Sequence, residues 1–337
     1  MGAVSREHRA CSPCRRSWTT GDTGSEPVKT TTPTPPVVNH LLRRCRDFLP
    51  RAAGRPRRRG PRSASPGWPG PDATFGPVTA GVDLVDLPAA GRRFTARRRV
   101  RLGDAAPAGR LRLDAVARYL QDVADDDATD AGLGRRLAWV VRRTIVEVRR
   151  FPVLREQLEL TTVCTGIGAR WAERRTSIVG ERGGRVEAVA LWVLLDGASG
   201  RPTRLPPRFA EVYGPSASGR VVGARLAHPD PPDGDGAARP FPLRAADIDV
   251  AGHVNNAVYW AVLEDQLSGA SPATPLRAEV EHRQALEPGA EPRVLVDGAS
   301  LDQPAGVRLW VLFSRRAAAQ VEVAASARAI LLSGSTA

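Results

Sequence analysis

Asp249 and His253 flank Gly252 in the stretch RAADIDVAGHVNNAVYWAVLED, residues 244–265, and the pair Asn255–Asn256 follows at once. An acid and an imidazole on a polar turn are suited to activating water. The apolar run behind them has helical spacing, so the turn feeds a helix N-terminus whose unpaired N–H groups stabilise developing negative charge. On this reading Asp249 is a nucleophile or water-orienting base, and His253 orients water or polarises a carbonyl. Backbone N–H groups from Gly252 to Val254 are the candidate oxyanion donors. Each residue also has a plainer role. Asp249 can bond its own turn, His253 can be a satisfied structural histidine, Gly252 can serve a left-handed backbone, and Asn255 and Asn256 can cap the helix.

The elements that must hold this turn occur twice. Arg101-x-x-Asp104-x4-Gly109 matches Arg244-x-x-Asp247-x4-Gly252, and beyond the glycines Leu120 aligns with Leu263 and Asp122 with Asp265. Both turns lead into runs with apolar residues at helical spacing. IVEVRRFPVL, from Ile145, then resembles VEHRQALEPG, from Val280, with Glu147 opposite Glu281 and Arg149 opposite Arg283. Each half continues with alternating, β-branched runs: LELTTVCTGI, AERRTSIVGE and EAVALWVLLD in the first; RVLVDGA, VRLWVLFSRR and QVEVAASARAI in the second. The order predicts an α+β fold of two like units, each one helix wrapped by an antiparallel meander. The first copy has Ala106 and Arg110 where the second has Asp249 and His253, so the first is expected to be inactive. The expected boundaries are a first unit at 78–212, a Gly/Pro/Asp-rich linker at 213–239 and a second unit at 240–337. His228, in that linker, reads as a solvent-exposed bystander.

Composition narrows the function. The chain has 337 residues and a net charge of +13, but residues 1–77 hold 14 Lys/Arg against 5 Asp/Glu. Most of the basicity thus belongs to a Pro/Arg-rich segment without helical or strand period, expected to be disordered or to belong to an over-extended gene start. No nucleic-acid partner is expected for the folded body. Lys29 is the only lysine, so the arginine count reads as a codon effect. Cys11 and Cys14 have CxxC spacing without a second ligand pair, and Cys164 is the body's only cysteine, which suits a reducing cytoplasm and predicts no metal site. No apolar run has membrane-spanning length, no GxGxxG or P-loop calls for a cofactor, and no G-x-S-x-G elbow is present.

DIDVAGHVNNAVYW resembles the helix-start motif of the acyl-acyl carrier protein thioesterase family, of plant and bacterial type. The resemblance covers about residues 88–333, and it implies two hotdog units in tandem and hydrolysis of a fatty acyl thioester on acyl carrier protein. In that family the loop reads Asp-x-Asn-x-His followed by Val-Asn-Asn. Asp249 and His253 match, but Ala251 stands at the asparagine. The resemblance further implies a catalytic glutamate on the strand after the second helix, at Glu281, whose neighbour is cysteine in some plant members and His282 here. Glu281 is expected either to face Asp249 as a general base or to pair with Arg283. Tyr259 and Trp260 read as core and acyl-pocket wall; Trp139, Trp171 and Trp192 read as core or tunnel. The expected protein is a cytoplasmic acyl-ACP thioesterase of fatty acid biosynthesis without cofactor, a monomeric pseudo-dimer or a homodimer of it. The alternatives are an acyl-CoA thioesterase on the same fold and a non-catalytic acyl-binding protein that lost activity with its asparagine.

Overall fold

The computed structural model describes residues 84–133, 138–232, 237–267, 270–297, 306–314 and 321–332. The expectations for residues 1–77, including Cys11 and Cys14, lie outside the described residues. Among the described residues ten strands form one antiparallel sheet: β1 Arg93–Arg99, β2 Ala138–Arg150, β3 Gln157–Ile167, β4 Trp171–Gly180, β5 Arg185–Leu195, β6 Arg239–Pro240, β7 Leu276–His282, β8 Arg293–Asp297, β9 Val307–Ser314 and β10 Val321–Leu331. Their spatial order is β1-β3-β4-β5-β2-β7-β10-β9-β8-β6. That order is the same five-strand meander twice, joined back to back through β2 and β7. In their antiparallel register Ile145 faces Glu279, Glu147 faces Arg277 and Arg143 faces Glu281. Ile145 and Glu279 are counterparts in the repeat, so the two halves meet about a pseudo-two-fold axis, as the subunits of a symmetric dimer do. This is the tandem hotdog arrangement, built from one chain.

Helix α1, Leu113–Asp130, and helix α3, Asn256–Glu264, lie against the sheet and against each other. Their apolar stripes explain the packing. Leu113, Val116, Leu120 and Val123 of α1 and Ala257, Trp260 and Leu263 of α3 join Val146, Val148, Leu276, Ala278 and Val280 in one continuous core. Strand β7 alternates as a strand with two different faces should. Leu276, Ala278 and Val280 enter that core, while Arg277, Glu279 and Glu281 point the other way.

Helix α2, Pro207–Ala217, begins with proline at its first turn and ends at Ser218 in a left-handed conformation. It runs through the expected linker start: Tyr213 is buried and donates to Asp127 at 2.9 Å. The physical reason is helical apolar spacing, since Phe209, Tyr213 and Ala217 recur on one buried face despite the glycine and proline content around them. Trp139 packs on Phe209 with ring centroids 5.3 Å apart, and Trp171 donates to the Val222 carbonyl at 2.6 Å. The first is thus a core contact and the second ties down the connector. Cys164 is buried and free, its thiol pushed up to about 11 by burial. Among the described residues no helix is long and apolar enough to cross a membrane.

Candidate active site

The turn that carries Asp249 is a small hairpin closed by its own backbone. Asp249 N–H donates to the His253 carbonyl at 2.9 Å, and Gly252 N–H returns to the Asp249 carbonyl at 2.9 Å. Asn255 N–H reaches the Asp247 carbonyl at 2.8 Å, and Gly252 takes φ +77°, a value that L side chains adopt only under strain. Asp247 is the outer acid: the Arg244 backbone N–H and guanidinium both donate to its carboxylate, which fixes the entry to the turn.

Asp249 is left to face the helix start. Its Oδ1 accepts from Ala251 N–H at 2.9 Å and its Oδ2 from Asn255 Nδ2 at 3.4 Å. Two donors hold the carboxylate in one orientation. Asn255 is also the N-cap of α3, its Oδ1 accepting from Ala257 N–H at 2.9 Å, so its capping role and its contact with Asp249 coexist. The His253 imidazole is half-buried and makes no hydrogen bond among the described residues.

The oxyanion donors differ from those expected. Gly252 N–H is spent within the turn, and Val254 N–H donates to the Leu286 carbonyl at 3.0 Å. Neither is available to a substrate oxygen. Between Asp249 and Asn256 the N–H groups without an acceptor among the described residues are those of Val250, His253 and Asn256; Asn256 is the first residue of α3 and so has no intrahelical acceptor. Tyr259 and Trp260 are buried in the core, Tyr259 edge-on to the His282 ring at 5.1 Å between centroids. Burial, helped by the nearby Arg142 charge, lowers His282 to about 3, so it is neutral in the fold.

Glu281 does not meet Asp249. Strand alternation turns it to the outer face, away from α3, where it is fully buried under the chain that connects the two units. Its Oε1 accepts from Ala227 N–H at 2.7 Å and its Oε2 from His228 N–H at 3.0 Å. Arg283 pairs with Asp230 instead, at 2.5 Å. The apolar Leu276, Ala278 and Val280 already carried the period-two signal that places Glu281 outside. His228 is likewise not a bystander: its side chain is 5% exposed, its Nδ1 lies 3.0 Å from Ser326 Oγ, and its Nε2 is 3.6 Å from Glu279. No sequence signal marked it, because the contact depends on how the connector lies across the sheet.

His228, Glu279 and Glu281 have ligand atoms close enough to hold a metal ion. Their charges are already matched, however. Arg143 and Arg328 bond Glu279, two backbone N–H groups fill Glu281, and burial's upward push on Glu279 is outweighed by His228 and these arginines, which bring it down to about 2. A divalent cation would enter beside two guanidinium groups, so the donor set fits an ion-pair latch for the connector better than a metal.

The first copy repeats the backbone and not the chemistry. Ala106 N–H donates to the Arg110 carbonyl and Gly109 N–H to the Ala106 carbonyl, both at 2.8 Å, with Gly109 at φ +80°. Arg110, where the second copy has His253, is 2% exposed, lies 4.7 Å over the Phe151 ring and pairs with Glu264 of α3 at 2.7 Å. Glu264 Oε2 also accepts the first helical N–H of α1, from Leu113, at 2.9 Å. The anion-binding end of α1 is thus filled by a carboxylate of the protein itself.

Residues 91–213 match the acyl-ACP thioesterase N-terminal domain family and residues 232–308 the acyl-ACP thioesterase C-terminal domain family. An uncharacterized protein of Mycobacterium tuberculosis is 32% identical over 210 residues, covering 61% of this chain and 83% of the relative. Among solved structures, the 12:0-ACP thioesterase of Umbellularia californica superposes with TM-score 0.56 at 19% identity, over 71% of this chain and 97% of that one. An acyl-ACP thioesterase from Bacteroides thetaiotaomicron gives TM-score 0.54 at 17% identity, over 71% and 98%. At these identities the structural likeness carries the fold.

Proposed function

The chain belongs to the acyl-ACP thioesterase family, a family of thioester hydrolases, and from that we propose that it releases free fatty acid from acyl carrier protein in the cytoplasm, within fatty acid biosynthesis. The working unit is the second, at 240–337; the first, at 78–212, supplies the other wall of the acyl site. The observation that carries the reading is the Asp249 carboxylate, held by two donors beside the open N-terminus of α3.

In the reaction Asp249 takes a proton from water as the water oxygen attacks the thioester carbonyl. The carbonyl oxygen becomes an anion, and the open N–H groups of His253 and Asn256, at the positive end of the α3 dipole, stabilise it. The tetrahedral intermediate collapses, the C–S bond breaks, and the proton on Asp249 passes to the leaving thiolate. The His253 imidazole orients the water. Glu281 takes no part; its carboxylate anchors the connector.

The test is hydrolysis of acyl carrier protein and coenzyme A thioesters, with saturated chains of graded length, followed by thiol release. Asp249→Ala should remove turnover on the preferred carrier. Turnover on coenzyme A alone would replace the carrier assignment, and tight acyl binding with no turnover in the unaltered protein would favour an acyl-binding role.

A further inference from the structure

We infer that Gln121, on helix α1 of the first unit, is a positioning residue for the second unit's site; the inference rests on the hydrolytic reading of Asp249. The repeat itself points to it. Leu120 and Asp122 correspond to Leu263 and Asp265, so Gln121 corresponds to Glu264. Each of these two residues crosses the contact between α1 and α3 to the other unit's polar turn. Glu264 reaches the first turn, where it pairs with Arg110 and fills the Leu113 N–H. Gln121 reaches the second, where its Oε1 lies 3.5 Å from Asn255 Nδ2.

That same Nδ2 is 3.4 Å from Asp249 Oδ2, so Asn255 bridges Gln121 and Asp249. Accepting at Gln121 holds the Asn255 amide with its donor toward Asp249. The neutral charge of Gln121 matters as much as its reach. A carboxylate at this position would stand one bridging amide from Asp249 and make ionisation of Asp249 harder. It would also be drawn to the open N–H of Asn256, as Glu264 is drawn to Leu113 N–H, and close the place where the oxyanion forms. Glutamine on α1 keeps the second turn open, while glutamate on α3 keeps the first turn shut. The choice of working copy is thus written partly in the opposite unit.

The test uses the full chain with Gln121→Ala, Gln121→Glu and, as the mirrored control, Glu264→Gln, assayed on acyl carrier protein loaded with its preferred saturated chain. Gln121→Ala should lower kcat on the order of tenfold with KM within about twofold, since orientation and not binding is lost. The near-isosteric Gln121→Glu should lower kcat further and move the acid limb of the kcat–pH profile upward by about one pH unit. Glu264→Gln should leave that profile in place. The carboxyl 13C titration of Asp249 in Gln121→Glu reads the same coupling without turnover, and it should also move upward. If both Gln121 variants keep wild-type kcat, pH profile and Asp249 titration while Asp249→Ala is inactive, the inference fails and the thioesterase reading stands. If Asp249→Ala retains wild-type turnover, both fall together.

Discussion

The turns at Asp104–Leu113 and Asp247–Asn256 share a short 3-10 start, a glycine at positive φ and the same backbone hydrogen bonds, yet one is sealed and the other open. In the first, Arg110 lies under the surface with Glu264, and the helix N-terminus is occupied. In the second, His253 replaces the arginine, Asp249 replaces Ala106 and the first N–H of α3 is unfilled. The backbone of this turn is therefore a scaffold that is indifferent to chemistry. Three side chains, two within the turn and one across the helix pair, separate the sealed turn from the open one that we propose to be catalytic.

The strongest way to break this contrast is Asp249→Ala, which should lower kcat by about a thousandfold, in the range of losing a general base. The same rate for mutant and wild type on purified acyl carrier protein substrates would make the two turns chemically alike. Arg110→Ala should do the reverse. It leaves Glu264 partly buried without its partner and should destabilise the protein by about 3 kcal/mol in urea denaturation, while the kcat of the folded protein stays near wild type. A large loss of kcat with unchanged stability would mean that the first turn takes part in turnover.

Acid sensitivity should also divide the halves. His282 stands where the first unit has Val148, and burial keeps it neutral, lowered to about 3 from 6.5. The unfolded chain binds that proton more readily, so the stability is complete above 6.5 and is lost as pH falls toward 3. The loss should be about 1.4 kcal/mol per pH unit from this group, and Glu279 adds its own only below 4.5. His282→Val should flatten the stability–pH curve between pH 6.5 and about 4.5; an unchanged slope would show that another group sets it. The smallest effect distinguishes the glycines. Gly109→Ala and Gly252→Ala should each cost about 1 kcal/mol for the left-handed backbone, but only the second should also lower kcat. Equal kinetics in both variants would remove Gly252 from the site.

Much of this was legible without coordinates, and the misses have physical causes. The helix and strand periods, the repeated polar turn and the pair Asp249–His253 follow from contacts within a few residues along the chain. The outward side of Glu281 was also legible, in the alternation of Leu276, Ala278 and Val280. Gln121 sat between two residues already aligned with their counterparts, and only its reach across the helix pair gave it meaning. His228 left no trace, because nothing near it in sequence indicates that the connector lies over Glu279 and Glu281.

What the sequence determined by itself is the doubled unit, the turn that starts each second-layer helix and the half that kept an acid and an imidazole. These depend on local backbone hydrogen bonds and on the spacing of apolar residues, both short-range. Only the tertiary structure decided which N–H groups remain open, that Glu281 serves the connector and that α1 reaches the Asp249 turn. Those outcomes depend on the strand register between β2 and β7 and on packing about the pseudo-two-fold axis, which bring together residues far apart in the chain.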